Sequence, residues 1–216
     1  MSPVINLIVL SSFFLTAFAV GEIAYRKFNV EAEITRKWSH ISSGFLALLF
    51  PFYFNDVFWV VLICTIFGIF LFVCKKFKFL PSINSVERKT HGSILFPLAV
   101  IISFIAFEMF DNLIYYYLPV LTLAICDLCA AIIGKRYPIK KIKIYLETKS
   151  LGGLLAFVIS FILLSIAFNF MGFSLSLLFI LATGIFSGII ELISPRGLDN
   201  VSIPLSVILF LYLFIG

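Results

Sequence analysis

Between Cys126 and Gly153 the chain reads CDLCAAIIGKRYPIKKIKIYLETKSLGG. Asp127 stands about seven residues inside the end of an apolar segment, where a carboxylate is expensive unless it meets a cation, a metal ion or a water-filled cavity. Asp127, Ala131 and Gly134 are spaced for one helix face, and the small residues on it let another group come close. A hard oxygen donor in that position suits Mg²⁺. After a basic loop, the next apolar segment opens on Lys149-Ser150-Leu151-Gly152-Gly153. A helix start offers unpaired N–H groups and the positive end of the dipole, which favour an anion, and Lys149 adds a cation there. Together these are the parts that would hold phosphate groups at the edge of a bilayer. No G-x-x-x-x-G-K-[ST] is present, so the turn is not a P-loop.

Four other constellations bear on the same chemistry. In RKFNVEAEITRKWSHISSG, Glu33, Arg36, Lys37 and His40 recur at three or four residues and share a face if the stretch is helical. That face is either a solvated interfacial one or a cluster that meets phosphate, with Arg36 as a bidentate donor, Lys37 as a point charge and His40 as donor or proton shuttle. In SVERKTHGSILFP, Arg88 and Lys89 crowd with Glu87, Thr90 and His91 before an apolar run; for His91 alone, interfacial packing suffices. Gly184, Gly188 and Glu191 carry a carboxylate on a small-residue face toward a bundle interior. In ELISPRGLDNVSIPL, Asp199 and Asn200 stand at a helix head with Pro204 just inside, which capping and a turn explain without chemistry. Cys126 and Cys129 form a C-x-x-C without a second ligand pair, so buried apolar cysteine is the plain reading of all four cysteines.

The elements that must position these residues are membrane spans. Of the 216 residues 62% are hydrophobic and 12% charged, and the mean hydropathy is +1.16, which excludes a soluble domain. No hydrophilic stretch is long enough for a separate globular unit, so residues 1–216 read as one all-α, polytopic transmembrane helix bundle. Apolar runs fall near residues 3–25, 39–54, 56–74, 92–110, 112–134, 151–169, 173–194 and 202–215, which gives about eight spans. The first run lacks a basic n-region and is long enough to span, so it is read as a helix and not a signal peptide. All sixteen lysines and arginines lie in Arg26–Lys37, Lys75–Lys89, Lys135–Lys149 and at Arg196, the loops after the first, third, fifth and seventh spans. The positive-inside rule then sets every basic loop in the cytoplasm and both termini on the opposite side. The net charge of +5 belongs to those loops and to anionic lipid headgroups; nucleic acid is not required.

RKWSHISSG, ERKTHGSILFP, DLCAAIIGKRY with the later TKSLGG, and ELISPRGLDNVSIPL resemble, in order, the motifs of the polyprenol kinase family, which includes phytol, farnesol and dolichol kinases. That family is similar in turn to the phosphatidate cytidylyltransferases. The resemblance runs from about Arg36 to Pro204 and departs from many relatives at Leu154, where they carry a small hydroxyl residue. It implies CTP-dependent phosphorylation of a long-chain isoprenoid alcohol to its monophosphate, with release of CDP and with Mg²⁺. On that reading Asp127 and Asp199 are metal ligands. Arg36, Lys37, Arg88, Lys89, Gly134, Lys135, Lys149, Ser150, Gly152, Gly153 and Asn200 meet the nucleotide. Lys149 neutralises developing charge, and Glu191, Asp199 or His40 takes the alcohol's proton. The alcohol would arrive sideways through the bilayer and the nucleotide from the cytoplasm, in a prokaryotic cytoplasmic membrane or, in a eukaryote, that of the endoplasmic reticulum or a plastid. A cytidylyltransferase making a CDP-lipid, or a non-catalytic transporter or lipid-binding protein, is the alternative.

Overall fold

The computed structural model describes residues 2–84, 92–144 and 147–216. Helix boundaries follow local chemistry. Helix α1 (Pro3–Phe28) opens on Ser2, whose hydroxyl accepts from the Ile5 N–H, with proline in its first turn, and closes on Asn29 in the left-handed conformation. Helix α2 (Ala32–Ala47) carries the polar residues of the first basic stretch, and a single turn, α3 (Phe50–Tyr53), follows it. Helix α4 (Val57–Lys76) is capped by Asp56, which accepts from the Phe58 N–H at 2.7 Å. After the short α5 (Pro81–Asn84) come α6 (Gly92–Phe110) and then α7 (Ile114–Leu121), a π-helical turn over Thr122–Cys126, and α8 (Asp127–Arg136), which form one continuous rod. Helices α9 (Leu151–Phe170) and α10 (Leu177–Ile193) have serine caps at Ser150 and Ser176; α11 (Asp199–Ile215) completes the bundle.

One element departs from the all-α expectation. The basic loop before α9 contains an antiparallel pair, β1 (Lys141–Ile144) and β2 (Glu147–Ser150), in the register Lys141 to Ser150 and Ile142 to Lys149. The alternation Lys-Ile-Lys-Ile has the period of a half-buried strand, and pairing satisfies backbone groups that an irregular loop would leave to water.

Among the described residues five helices are long and apolar enough to cross a membrane: α1, α4, α6, the α7–α8 rod and α9. Helices α10 and α11 are apolar but have 17 residues each, and α2 is amphipathic, so length and composition support five crossings where the sequence suggested eight. The core runs along the bundle axis through Leu10, Phe104, Tyr116, Phe157, Phe161, Ile203 and Val207, while Ile8, Phe58, Ile69, Leu163, Leu178 and Leu213 point outward. That inversion of the soluble pattern is the surface lipid requires.

Candidate active site

A concavity of about 810 Å³ is lined in part from α2, α8, β2, α10 and α11. Each polar side chain in it is delivered by a local feature. Asp127 is the first residue after the π-helical turn, and its own N–H reaches back to the Thr122 carbonyl. Glu191 lies near the end of α10, which seats closely on α9 because a Cβ at Gly188 would come within 2.8 Å of Leu154 and one at Gly184 within 3.0 Å of Phe161. The chain reverses between α10 and α11 through Arg196 and Gly197, both in the left-handed region (φ 55° and 89°). Two hydroxyl pairs then lock the helices together, Ser194 to Ser202 at 2.9 Å and Ser187 to Ser206 at 2.7 Å. Asp199 is thereby brought beside Glu191.

Carboxylate oxygens of Asp127, Glu191 and Asp199 all lie within 4.8 Å of one another. Lys149 at the end of β2 reaches into this group. Its ammonium donates to Glu191 Oε1 at 2.7 Å and to Asp199 Oδ2 at 3.4 Å, and also to the Glu191 carbonyl. Burial alone would make the Lys149 ammonium easier to deprotonate, but Glu191 and Asp199 outweigh burial and hold its pKa above the ordinary lysine range. Lys149 is therefore a fixed positive charge. Three carboxylates gathered around one ammonium form an all-oxygen set whose spacing fits a hard divalent cation such as Mg²⁺.

The capping account of Asp199 does not hold. The helix begins at Asp199 with Leu198 in the cap position, and among the described residues Asp199 Oδ1 accepts from the adjacent Asn200 N–H, at 3.1 Å, and not from the N–H groups two or three residues on that a cap would serve. Its other oxygen is available to the site. The turn at Ser150 has the opposite history. Ser150 Oγ donates to the Gly134 carbonyl and accepts from the Gly153 N–H, each at 3.2 Å, while the Leu151 N–H donates to the Ile139 carbonyl at 3.0 Å. A Cβ on Gly152 would lie 2.3 Å from the Tyr137 carbonyl, and one on Gly153 would lie 3.0 Å from that of Ala130. These glycines permit close contact of α9 with α8 and the hairpin. Gly134, Ser150 and Gly153 still border the cavity; Gly152 is not part of its lining.

Arg36, Lys37, Lys135 and Asn200 also line the cavity, with Arg36 held to Glu33 at 2.9 Å. His40 turns inward from α2. Its Nε2 lies 3.4 Å from the Leu123 carbonyl and its ring meets Phe96 edge to face, which assigns Nε2 as the protonated nitrogen. One turn on, Gly44 lets α2 touch the π-helical turn, since a Cβ there would lie 2.7 Å from that of Ala124. Thr148 and Lys141, from the hairpin, and Glu31 also line the cavity and were not singled out in the sequence; the Lys-Ile alternation was the available signal for Lys141. Arg88 and Lys89 fall outside the described residues.

No protein-family model and no solved structure matches the chain. Among curated proteins it is similar to a phytol kinase of Synechocystis sp., 28% identical over 178 residues that cover 81% of this chain and 76% of that protein. The aligned length takes in most of the membrane bundle described above, so the likeness to that phytol kinase extends over the helix that carries Asp127.

Proposed function

We propose that this protein phosphorylates a long-chain isoprenoid alcohol, with CTP as donor and the lipid monophosphate and CDP as products. The observation that carries the proposal is Lys149, fixed between Glu191 and Asp199 beside Asp127, at the floor of a cavity whose rim bears Arg36, Lys37 and Lys135. Phosphoryl transfer asks a protein mainly for position and for neutralisation of charge on the transferred group. The cationic rim suits a nucleotide's phosphates, and the likeness to a phytol kinase supports an isoprenoid alcohol as acceptor. Bound between Asp127 and Asp199, Mg²⁺ would supply further neutralisation of the phosphate oxygens.

In the reaction the alcohol oxygen forms a bond to the γ-phosphorus as the bond from that phosphorus to the β–γ bridging oxygen breaks, and CDP leaves with the electron pair. The hydroxyl proton passes to Glu191 or Asp199 in the carboxylate cluster, with His40 Nδ1, the unprotonated nitrogen when Nε2–H is held by the Leu123 carbonyl, as the other acceptor. Lys149 lies where it would stabilise charge without donating a proton. The basic segments or their immediate neighbours converge on this one cavity, which supports a site on the cytoplasmic side of the membrane. The test is purified protein in nanodiscs with Mg²⁺, each labelled nucleoside triphosphate and a panel of isoprenoid alcohols and phosphatidate. Lipid phosphate with CDP is expected; CDP-lipid with pyrophosphate would make it a cytidylyltransferase instead, and no nucleotide turnover would end the kinase reading.

A further inference from the structure

The π-helical turn leaves one backbone group to account for. In an α-helix the Asp127 N–H would close on the Leu123 carbonyl, four residues back. Here it closes on Thr122, five back, so the Leu123 carbonyl gives up its α-helical donor. Leu123 is 1% exposed, and a buried carbonyl without a partner carries the full penalty of desolvation. His40 takes the place of the lost donor, with Nε2 3.4 Å from that oxygen. The ring is confined, its centroid 5.0 Å from that of Phe96 in edge-to-face contact. The helix that carries it is tied down along its length. Thr35 Oγ1 donates to the Ser82 carbonyl at 2.6 Å, Trp38 Nε1 to the Ala17 carbonyl at 3.1 Å, and the Tyr116 hydroxyl to the Ala47 carbonyl at 2.6 Å. Tyr116 belongs to the same rod as the π-helical turn, and Gly44 seats α2 on Ala124 within that turn, so α2 offers His40 at a fixed height along the rod.

We propose that His40 is a positioning residue for Asp127: by supplying the donor that the Leu123 carbonyl has given up, it fixes the wide turn at Thr122–Cys126 and with it the direction in which Asp127 presents its carboxylate. This rests on the reading of the carboxylate cluster as the Mg²⁺ site of a kinase. Glu191, Asp199 and Lys149 are held by bonds among α10, α11 and β2, so Asp127 is the member of the cluster that this contact governs. Without a donor at Leu123 the backbone recovers one by moving the wide turn along the rod, so that the Asp127 N–H closes on Leu123 and the carboxylate leaves the other two. Second-shell bonds of this kind tune metal affinity through the ligand they orient. The role needs only the N–H at Nε2 and is separate from proton transfer at Nδ1.

The experiment is thermal melting of the full chain in detergent across a Mg²⁺ titration, without nucleotide or alcohol, next to turnover. His40→Leu fills the place of the ring with hydrocarbon and has no donor. His40→Gln carries an amide N–H at about the reach of Nε2 and cannot take a proton. The Mg²⁺ concentration for the half-maximal rise in melting temperature should increase about tenfold or more in His40→Leu and stay within about threefold of the parent in His40→Gln. In an Asp127→Asn background, His40→Leu should alter the residual Mg²⁺ response no further, since both changes act on one carboxylate. If His40→Leu does not fold, His40→Asn, whose amide falls one bond short, takes its place in each comparison. An unchanged midpoint in the donor-less variant, a glutamine variant as impaired as it, or additive effects with Asp127→Asn would overturn the proposal. A parent protein with no Mg²⁺ response would remove the metal site and the proposal together. The expected Mg²⁺ pattern without phosphorylation of any alcohol would end the kinase reading and leave the role of His40 standing.

Discussion

Replacing Lys149 by methionine keeps the length of the side chain and removes its charge. The Lys149 side chain is 12% exposed, and those of the acids it serves, Glu191 and Asp199, are 9% and 17% exposed. Leaving such groups without their cation costs about 3–5 kcal/mol, because the penalty is that of a stranded buried charge and not the modest net strength of one ion pair. At roughly 2–4 °C per kcal/mol for a chain of this size, Lys149→Met should melt roughly 6–20 °C below the parent protein in metal-free detergent. Added Mg²⁺ should then raise the melting temperature of the variant more than that of the parent, since the cluster has gained a negative charge and binding to the folded state stabilises it by mass action. Lys149→Met/Glu191→Gln should recover most of the lost stability, because it removes charge from both sides. Differential scanning fluorimetry with and without Mg²⁺ reads all three. If the single variant melts within a degree of the parent, or the double variant melts no higher than the single, charge compensation at Lys149 is refuted.

Asp127→Asn should abolish lipid phosphate formation with little change in melting temperature, and retained turnover would remove its role as metal ligand. His40→Ala should lower kcat about tenfold without changing the shape of the pH–rate profile, since the ring braces the Leu123 carbonyl; loss of one limb of that profile would make His40 the proton acceptor instead. Gly44→Val should destabilise by about 1–3 kcal/mol through contact with Ala124, and Ala124→Gly in the same chain should restore part of that loss on thermal melting. Chelation of divalent metal should stop turnover, and readdition of Mg²⁺ should restore it, as measured by release of CDP.

The residues legible in the sequence were those whose position carries a physical cost. Asp127 and Glu191 stand out because a carboxylate in an apolar helix needs a reason, and the structure sets them with Asp199 and Lys149 in one cluster. The direction of α9 and its start at Leu151 were also legible, from Ser150 and the glycine pair. What those glycines do was not, because close helix contact and an open anion-binding turn ask for the same residues. Asp199 was open to a capping explanation since only the conformation of Leu198 decides where α11 begins. The hairpin was obscured by its lysines, which satisfy the topology rule whether or not they lie on strands. The π-helical turn has no composition of its own: Thr-Leu-Ala-Ile-Cys continues an α-helix equally well.

That turn has a consequence for helical phase. A π turn accommodates one residue more than an α turn within nearly the same rise, so everything after Cys126 is rotated by about 100° from where an unbroken α-helix would carry it. Asp127 faces Glu191 and Asp199 only because of that added angle. The inserted residue acts as an angular offset built into the rod from Ile114 to Arg136: removing one residue from Thr122–Cys126 would leave a helix still long enough for the membrane, with its carboxylate turned away from the other two.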